Sequence, residues 1–107
     1  MRTFPKSLAL FRKTVNQRGQ HLRALTFKEL SDIGENAPIE HLVVDKRPAT
    51  IALIVRPLTR SGGLQVVVQG FMKGKFFPVK HVALDGFYKY PDETTAPLSE
   101  EHFWEFD

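Results

Sequence analysis

The residues best suited to acid–base or metal chemistry form two pairs with the same spacing. His41 precedes Asp45 by four positions, and His81 precedes Asp85 by four. In a β-strand, residues with this spacing share a face but lie about 13 Å apart, so neither pair can act on one proton or ion by itself. The two strands would have to lie side by side for one histidine to reach the other aspartate. We therefore interpret these histidines as hydrogen-bonded or surface residues, and we expect no catalytic residue, no metal site and no cofactor.

The other chemistry-bearing residue types form no catalytic motif. The chain has no cysteine, which excludes disulfides, thiolate catalysis and cysteine-ligated metal centres. No serine stands in a nucleophile elbow, and no phosphate-binding glycine loop or zinc-protease motif occurs. Adjacent carboxylates occur at Glu100 and Glu101, where they suit the positive end of a helix dipole. The sequence therefore favours a protein without enzymatic activity. A small enzyme, with a site assembled from scattered residues, is our third hypothesis.

Charge is divided unevenly along the chain and supports a second hypothesis, binding of RNA or DNA. The formal net charge is +3, but residues 1–28 contain seven basic residues and no acidic one, whereas six acidic residues lie within residues 92–107. A basic helix attracts nucleic acid because neutralised phosphates release their condensed counterions. The residues predicted to make these contacts are Lys6, Arg12, Lys13 and Arg18. The simpler interpretation is that the basic segment lies near the acidic C-terminal end of the same fold or is solvated.

The first third of the chain has the pattern of two helices. Apolar residues recur at helical spacing along one stripe, at Phe4, Leu8, Phe11 and Val15. This stripe predicts a helix over about residues 4–18 that ends at Gly19. Thr26 and Glu29 have the spacing of a capping box, so a second, shorter helix is predicted over about residues 27–33.

From residue 39 the apolar residues follow the alternation that is typical of strands. Four segments rich in Val, Ile and Phe, separated by turn residues, are predicted as strands over residues 39–45, 49–58, 64–72 and 76–85. Their connections are too short for parallel crossovers, so we predict a four-stranded antiparallel meander. Ser99 is the predicted N-cap of a final helix over residues 100–106. The prediction is one α+β domain with a basic helical part (1–34), a sheet (39–90) and an acidic C-terminal helix (98–107).

Alternation along the predicted strands assigns their side chains to two faces. The predicted core face contains Ile51, Leu53, Val55, Leu64, Val66, Val68, Val82 and Leu84. The second face, which is predicted to include His81 and Ala83, is polar at its margins and apolar in the middle. It is therefore either covered by a helix or available as a shallow binding surface. The predicted interaction surface consists of Arg56, Gln65, Gln69, His81, Phe87, Tyr88 and Tyr90, and the last three form its rim.

Together these patterns favour a small non-catalytic protein-interaction or regulatory module that resides in the cytoplasm. No apolar run approaches the ~18 residues that span a bilayer. The expected partner is another protein, and an exposed edge strand would allow two copies to pair as a homodimer.

Overall fold

The computed structural model describes residues 4–34, 37–73 and 80–99. Its chain begins with two helices, α1 (Phe4–Arg23) and α2 (Phe27–Ile33). Within the described ranges, neither helix has the length and apolar character needed to cross a lipid bilayer.

In the described residues, five strands follow the helices and form one antiparallel sheet. They are β1 (Glu40–Val44), β2 (Arg47–Pro57), β3 (Leu64–Lys73), β4 (Lys80–Lys89) and β5 (Thr95–Pro97). Their order in the sheet is their order in the chain. The predicted α+β class and antiparallel arrangement are therefore confirmed, but the sheet has one strand more than predicted. The predicted C-terminal helix over residues 100–106 lies outside the described residues.

The first helix is longer than predicted because Gly19 does not end it. The helix continues to Arg23, and Gly19 is buried within it. A Cβ atom at Gly19 would lie 1.7 Å from Oδ2 of Asp85 in β4. Gly19 therefore permits a close approach between helix and sheet, and its role as a helix stop was a wrong prediction.

The second helix has the predicted bounds. The backbone N–H of Glu29 donates to the Thr26 hydroxyl over 3.1 Å, and the backbone N–H of Thr26 donates to the Glu29 carboxylate over 2.9 Å. Hydrogen bonding to Thr26, first to its backbone N–H and then to its side chain, lowers the pKa of the Glu29 carboxyl below its ordinary value. The reciprocal pair satisfies two amides that would otherwise lack partners at the start of a helix.

The core lies between α1 and one face of the sheet. Phe11 and Val15 are fully buried, as the apolar stripe predicts. They cross the sheet at Gly70 of β3, where a Cβ atom would lie 2.8 Å from the Phe11 ring and 2.7 Å from a Val15 methyl group. Each such buried side chain stabilises the fold by about 1.5–3 kcal/mol.

Strand β4 presents its two faces opposite to the prediction. The register pairs Val68 with Asp85 and Val66 with Phe87. Because paired residues share a face, the core face of β4 carries His81, Ala83, Asp85 and Phe87, whereas Val82 and Leu84 lie on the second face. Alternation alone could not predict this, since Asp85 is acceptable on the core face only because Arg23 of α1 pairs with it.

The chain after β4 turns back to form the fifth strand, which the four-stranded prediction does not include. Ala96 of β5 pairs with Tyr88. In the turn, the Glu93 carboxylate lies 3.4 Å from Nζ of the buried Lys89 and accepts a 3.0 Å hydrogen bond from the backbone N–H of Phe27. The turn therefore connects this margin of the sheet to the start of α2.

Candidate binding sites

The predicted interaction surface does not form one continuous surface. Arg56, Gln65 and Tyr88 are neighbours across β2, β3 and β4 on the second face, which we define as the face opposite α1. Gln69 lies on the same face. The predicted positions of His81 and Phe87 were wrong, because the β4 register places both on the core face.

The part of the second face nearest β5 is filled by side chains of the chain itself. Val67, Tyr88 and Leu98 form a buried cluster, and Tyr90 packs against it. The Tyr88 hydroxyl donates to the Ser99 Oγ over 2.9 Å and accepts from the Ser99 backbone N–H over 3.2 Å. Tyr88 and Tyr90 therefore serve the packing of this margin.

Gln65 and Arg56 are adjacent but differ in exposure. Gln65 is only 5% exposed, and its side-chain Nε2 has no hydrogen-bond partner among the described residues. Arg56 is exposed. A partner that docked on the second face at this point would therefore reach Arg56 and not the buried amide.

The two most exposed large apolar side chains of the described residues lie at the opposite margin of the sheet. Val43 of β1 is 70% exposed and Ile39 just before β1 is 55% exposed, whereas the less exposed Phe71 lies in the central strand β3 and Leu10 lies on α1. Among the strands of the described residues, β2 alone lies beside β1, which is therefore an edge strand. Unpaired backbone groups next to exposed apolar side chains are the usual requirements for pairing with another strand.

The hairpin geometry determines which β1 backbone groups remain available. The Asp45–Lys46 turn has positive φ at both residues, 48° and 67°, as a type I′ turn requires. In such a hairpin the flanking residues, Val44 and Arg47, form a hydrogen-bonded pair. Alternation then directs the N–H and C=O groups of Val43 and His41 away from β2.

One of the four residues predicted to contact nucleic acid, Arg18, forms an ion pair within the chain. Arg18 donates from Nε and Nη2 to the two carboxylate oxygens of Glu40 over 2.9 and 2.6 Å. This hydrogen bonding lowers the pKa of the Glu40 carboxyl below its ordinary value. Lys6, Arg12 and Lys13 are exposed. Of the predicted contact residues, these three are thus the ones without an ion pair to another described residue.

A second arginine of α1 makes a more buried contact. Arg23 donates to both oxygens of Asp85 over 2.7 and 2.9 Å and to the Gly86 carbonyl over 3.1 Å. Its guanidinium carbon lies 4.9 Å from the centre of the Phe87 ring. The Arg23 contacts therefore neutralise the acidic residue of the β4 core face.

The aspartates of the two histidine–aspartate pairs make separate contacts with α1. Asp45 accepts a hydrogen bond from the buried Ser7 of α1, and Asp85 binds Arg23. Strands β1 and β4 are separated by two other strands, so His41 cannot approach Asp85. The described part of the chain contains no group of three or more His, Asp or Glu side chains that could hold a metal ion.

A cavity of about 270 Å³ lies between α1, the sheet and residues 37–40. Its apolar lining consists of Leu22, Ala37, Pro38, Ile51, Leu53 and Val68. Its polar lining consists of Arg18, His21 and Glu40. Leu22 continues the apolar stripe of α1 seven residues after Val15. That spacing could have placed Leu22 on the buried face of α1. It was not used because the predicted helix ends at Gly19, before Leu22.

The second face, the β1 edge and the cavity are thus the surfaces with features suited to binding. Comparison of the chain with family models, curated proteins and solved structures found no match.

Proposed function

We propose that the chain is a small non-catalytic protein-interaction module that binds by adding a strand to β1, and that its partner is a second copy. The observation that supports this proposal is the exposure of Ile39 and Val43, at 55% and 70%, on an edge strand. Strand addition uses backbone hydrogen bonds for affinity and alternate side chains for specificity.

The alternation of backbone groups favours one register for the two copies. Ile39, His41 and Val43 alternate along the chain, so their N–H and C=O groups point in the same direction, away from β2. A two-fold axis at His41 places Ile39 of each copy opposite Val43 of the other. This register forms about six hydrogen bonds, whereas an axis at Leu42 forms about four. The favoured register also pairs the two exposed apolar residues with each other.

The proposed contact is small, because a single pair of edge strands buries less than the ~1,200 Å² of a standard interface. We therefore expect a weak, concentration-dependent dimer with a dissociation constant on the order of 10–100 µM.

Single cysteines test both the pairing and its register, since the natural chain has none. Paired residues of antiparallel strands have Cα atoms about 5.5 Å apart, within disulfide range. Under mild oxidation, His41→Cys should form a disulfide-linked dimer with itself. Ile39→Cys and Val43→Cys should do so only when mixed. Gln17→Cys, on the exposed surface of α1, measures the rate of random collision.

Two results would overturn this proposal. One is cross-linking of His41→Cys no faster than that of Gln17→Cys. The other is a monomer mass for the natural chain by light scattering at millimolar concentration. Rapid cross-linking of His41→Cys with Val43→Cys, without cross-linking of Ile39→Cys with Val43→Cys, would contradict the register.

A second candidate function, binding of an oligonucleotide, is favoured by the surface of α1. The helix contains no acidic residue and exposes Lys6, Arg12 and Lys13. Affinity for a labelled single-stranded DNA should then fall about tenfold or more between about 50 and 200 mM salt. Replacing both Arg12 and Lys13 by Gln should weaken binding. The loss should be larger than that caused by replacing both Lys46 and Arg60 by Gln, two exposed basic residues outside α1. Equal losses in the two double variants would show that only net charge matters.

A further inference from the structure

The cavity beneath α1 has an apolar interior with few polar atoms near it. Leu22, Ile51 and Val68 are 8%, 5% and 1% exposed. A polar group placed among these side chains would lose its hydrogen bonds to water without replacement. The part of any ligand that enters the cavity must therefore be apolar.

The volume of the cavity limits the size of that apolar part. A cavity of ~150 Å³ in another protein holds one benzene molecule, and this cavity measures about 270 Å³. It accommodates a substituted benzene ring or a short branched chain. Larger ligands such as nucleotides or long-chain lipids do not fit.

The polar lining has unused hydrogen-bond donors. Arg18 binds Glu40 through Nε and Nη2, and no hydrogen bond among the described residues involves its Nη1. Nor does any involve the His21 imidazole. These two residues are three apart on α1 and are therefore neighbours on its surface. Glu40 carries the negative charge in the lining, and Arg18 already neutralises it.

We propose that this cavity binds a small amphipathic carboxylate. Its apolar body would occupy the space between Leu22, Ile51 and Val68. Its carboxylate would accept hydrogen bonds from Arg18 and His21, because a charged acceptor pairs best with cationic or N–H donors. The cavity lies on the core face, whereas His41 and Val43 lie on the second face, so this proposal does not rest on strand addition at β1.

The test compares two probes of nearly equal shape, para-methylbenzoate and the neutral para-methylbenzamide. Each is titrated into isotope-labelled natural chain and followed by amide NMR signals. We expect saturable shifts at the amides of Leu22, Leu53 and Val68, with binding of the benzoate at least tenfold tighter than that of the benzamide. Absence of saturable shifts up to the solubility limit, or equal affinity for both probes, would overturn the proposal.

Three variants locate the binding in this cavity. Ala37→Trp places a large side chain from the loop into the cavity and should abolish binding of both probes. The double variant Arg18→Gln with Glu40→Gln keeps the net charge and should lower only the benzoate affinity, by about tenfold. Lys13→Gln removes an exposed charge elsewhere on α1 and should change neither affinity. Unchanged binding of the probes by Ala37→Trp would contradict the assignment of binding to this cavity. So would a loss of benzoate affinity in Lys13→Gln as large as that in the Arg18→Gln, Glu40→Gln double variant.

Discussion

The two margins of the sheet are attached to the same helix by the same kind of contact, yet they differ in burial. At the β4 margin, Arg23 binds Asp85 with side-chain exposures of 34% and 18%. At the β1 margin, Arg18 binds Glu40 with exposures of 41% and 43%. The β4 margin is also covered by Leu98, which follows β5 and is 7% exposed. A sheet that is antiparallel throughout thus has one margin whose ion pair and apolar cover are more buried and one margin whose ion pair and apolar side chains are more exposed.

The largest effect we expect concerns apolar burial at the two margins. Leu98 packs against Val67 and lies above Gly86, where a Cβ atom would be 2.9 Å from Leu98 Cδ2. Leu98→Ala should lower the free energy of unfolding by about 2–4 kcal/mol, since it leaves a cavity. Val43→Ala should change it by less than about 0.5 kcal/mol. Urea unfolding of the two variants at low protein concentration measures both free energies of unfolding. Similar losses in the two variants would contradict the difference in burial between the two margins.

The next effect concerns the two ion pairs. Arg23→Ala leaves the Asp85 carboxylate partly buried without its partner and removes the contact with the Phe87 ring, so we expect a loss of about 2–3 kcal/mol. Arg18→Ala, at the exposed pair, should cost less than about 1 kcal/mol. Thermal and urea unfolding of both variants provide the measurement. An equal loss of stability in Arg23→Ala and Arg18→Ala would mean that the two ion pairs do not differ through their burial.

The smallest effect concerns pH. Hydrogen bonds from Arg18 lower the pKa of Glu40, and those from Thr94 lower the pKa of Asp92. A carboxyl whose pKa is lower in the folded state stabilises the protein above its unfolded pKa, and this contribution is lost as the pH falls through the folded pKa. Stability should therefore be level above about pH 5 and decline below about pH 4. Glu40→Gln should make the decline slightly shallower, and a steeper decline would contradict this assignment.

Local patterns predicted the elements better than they predicted the site. The capping box of Thr26 and Glu29 located α2 to the residue, because its hydrogen bonds join residues three apart. The predicted site failed at His81 and Phe87, because their face depends on the register between β3 and β4. A shift of one residue exchanges the two faces of a strand. The cavity was missed since its lining comes from four separate parts of the chain.

Local sequence patterns were sufficient to predict the two helices, the first four strands and the antiparallel direction of neighbouring strands, but not the fifth strand. These properties depend on short-range preferences and on connections too short for any other path. Two other features depend on contacts made in the folded chain, the position of Gly19 within a helix and the orientation of Asp85 towards the core. Both depend on one contact between residues far apart in the chain, in which Arg23 neutralises Asp85 beside a glycine with no side chain to obstruct it. Such a contact has no periodicity, so only the folded chain shows it.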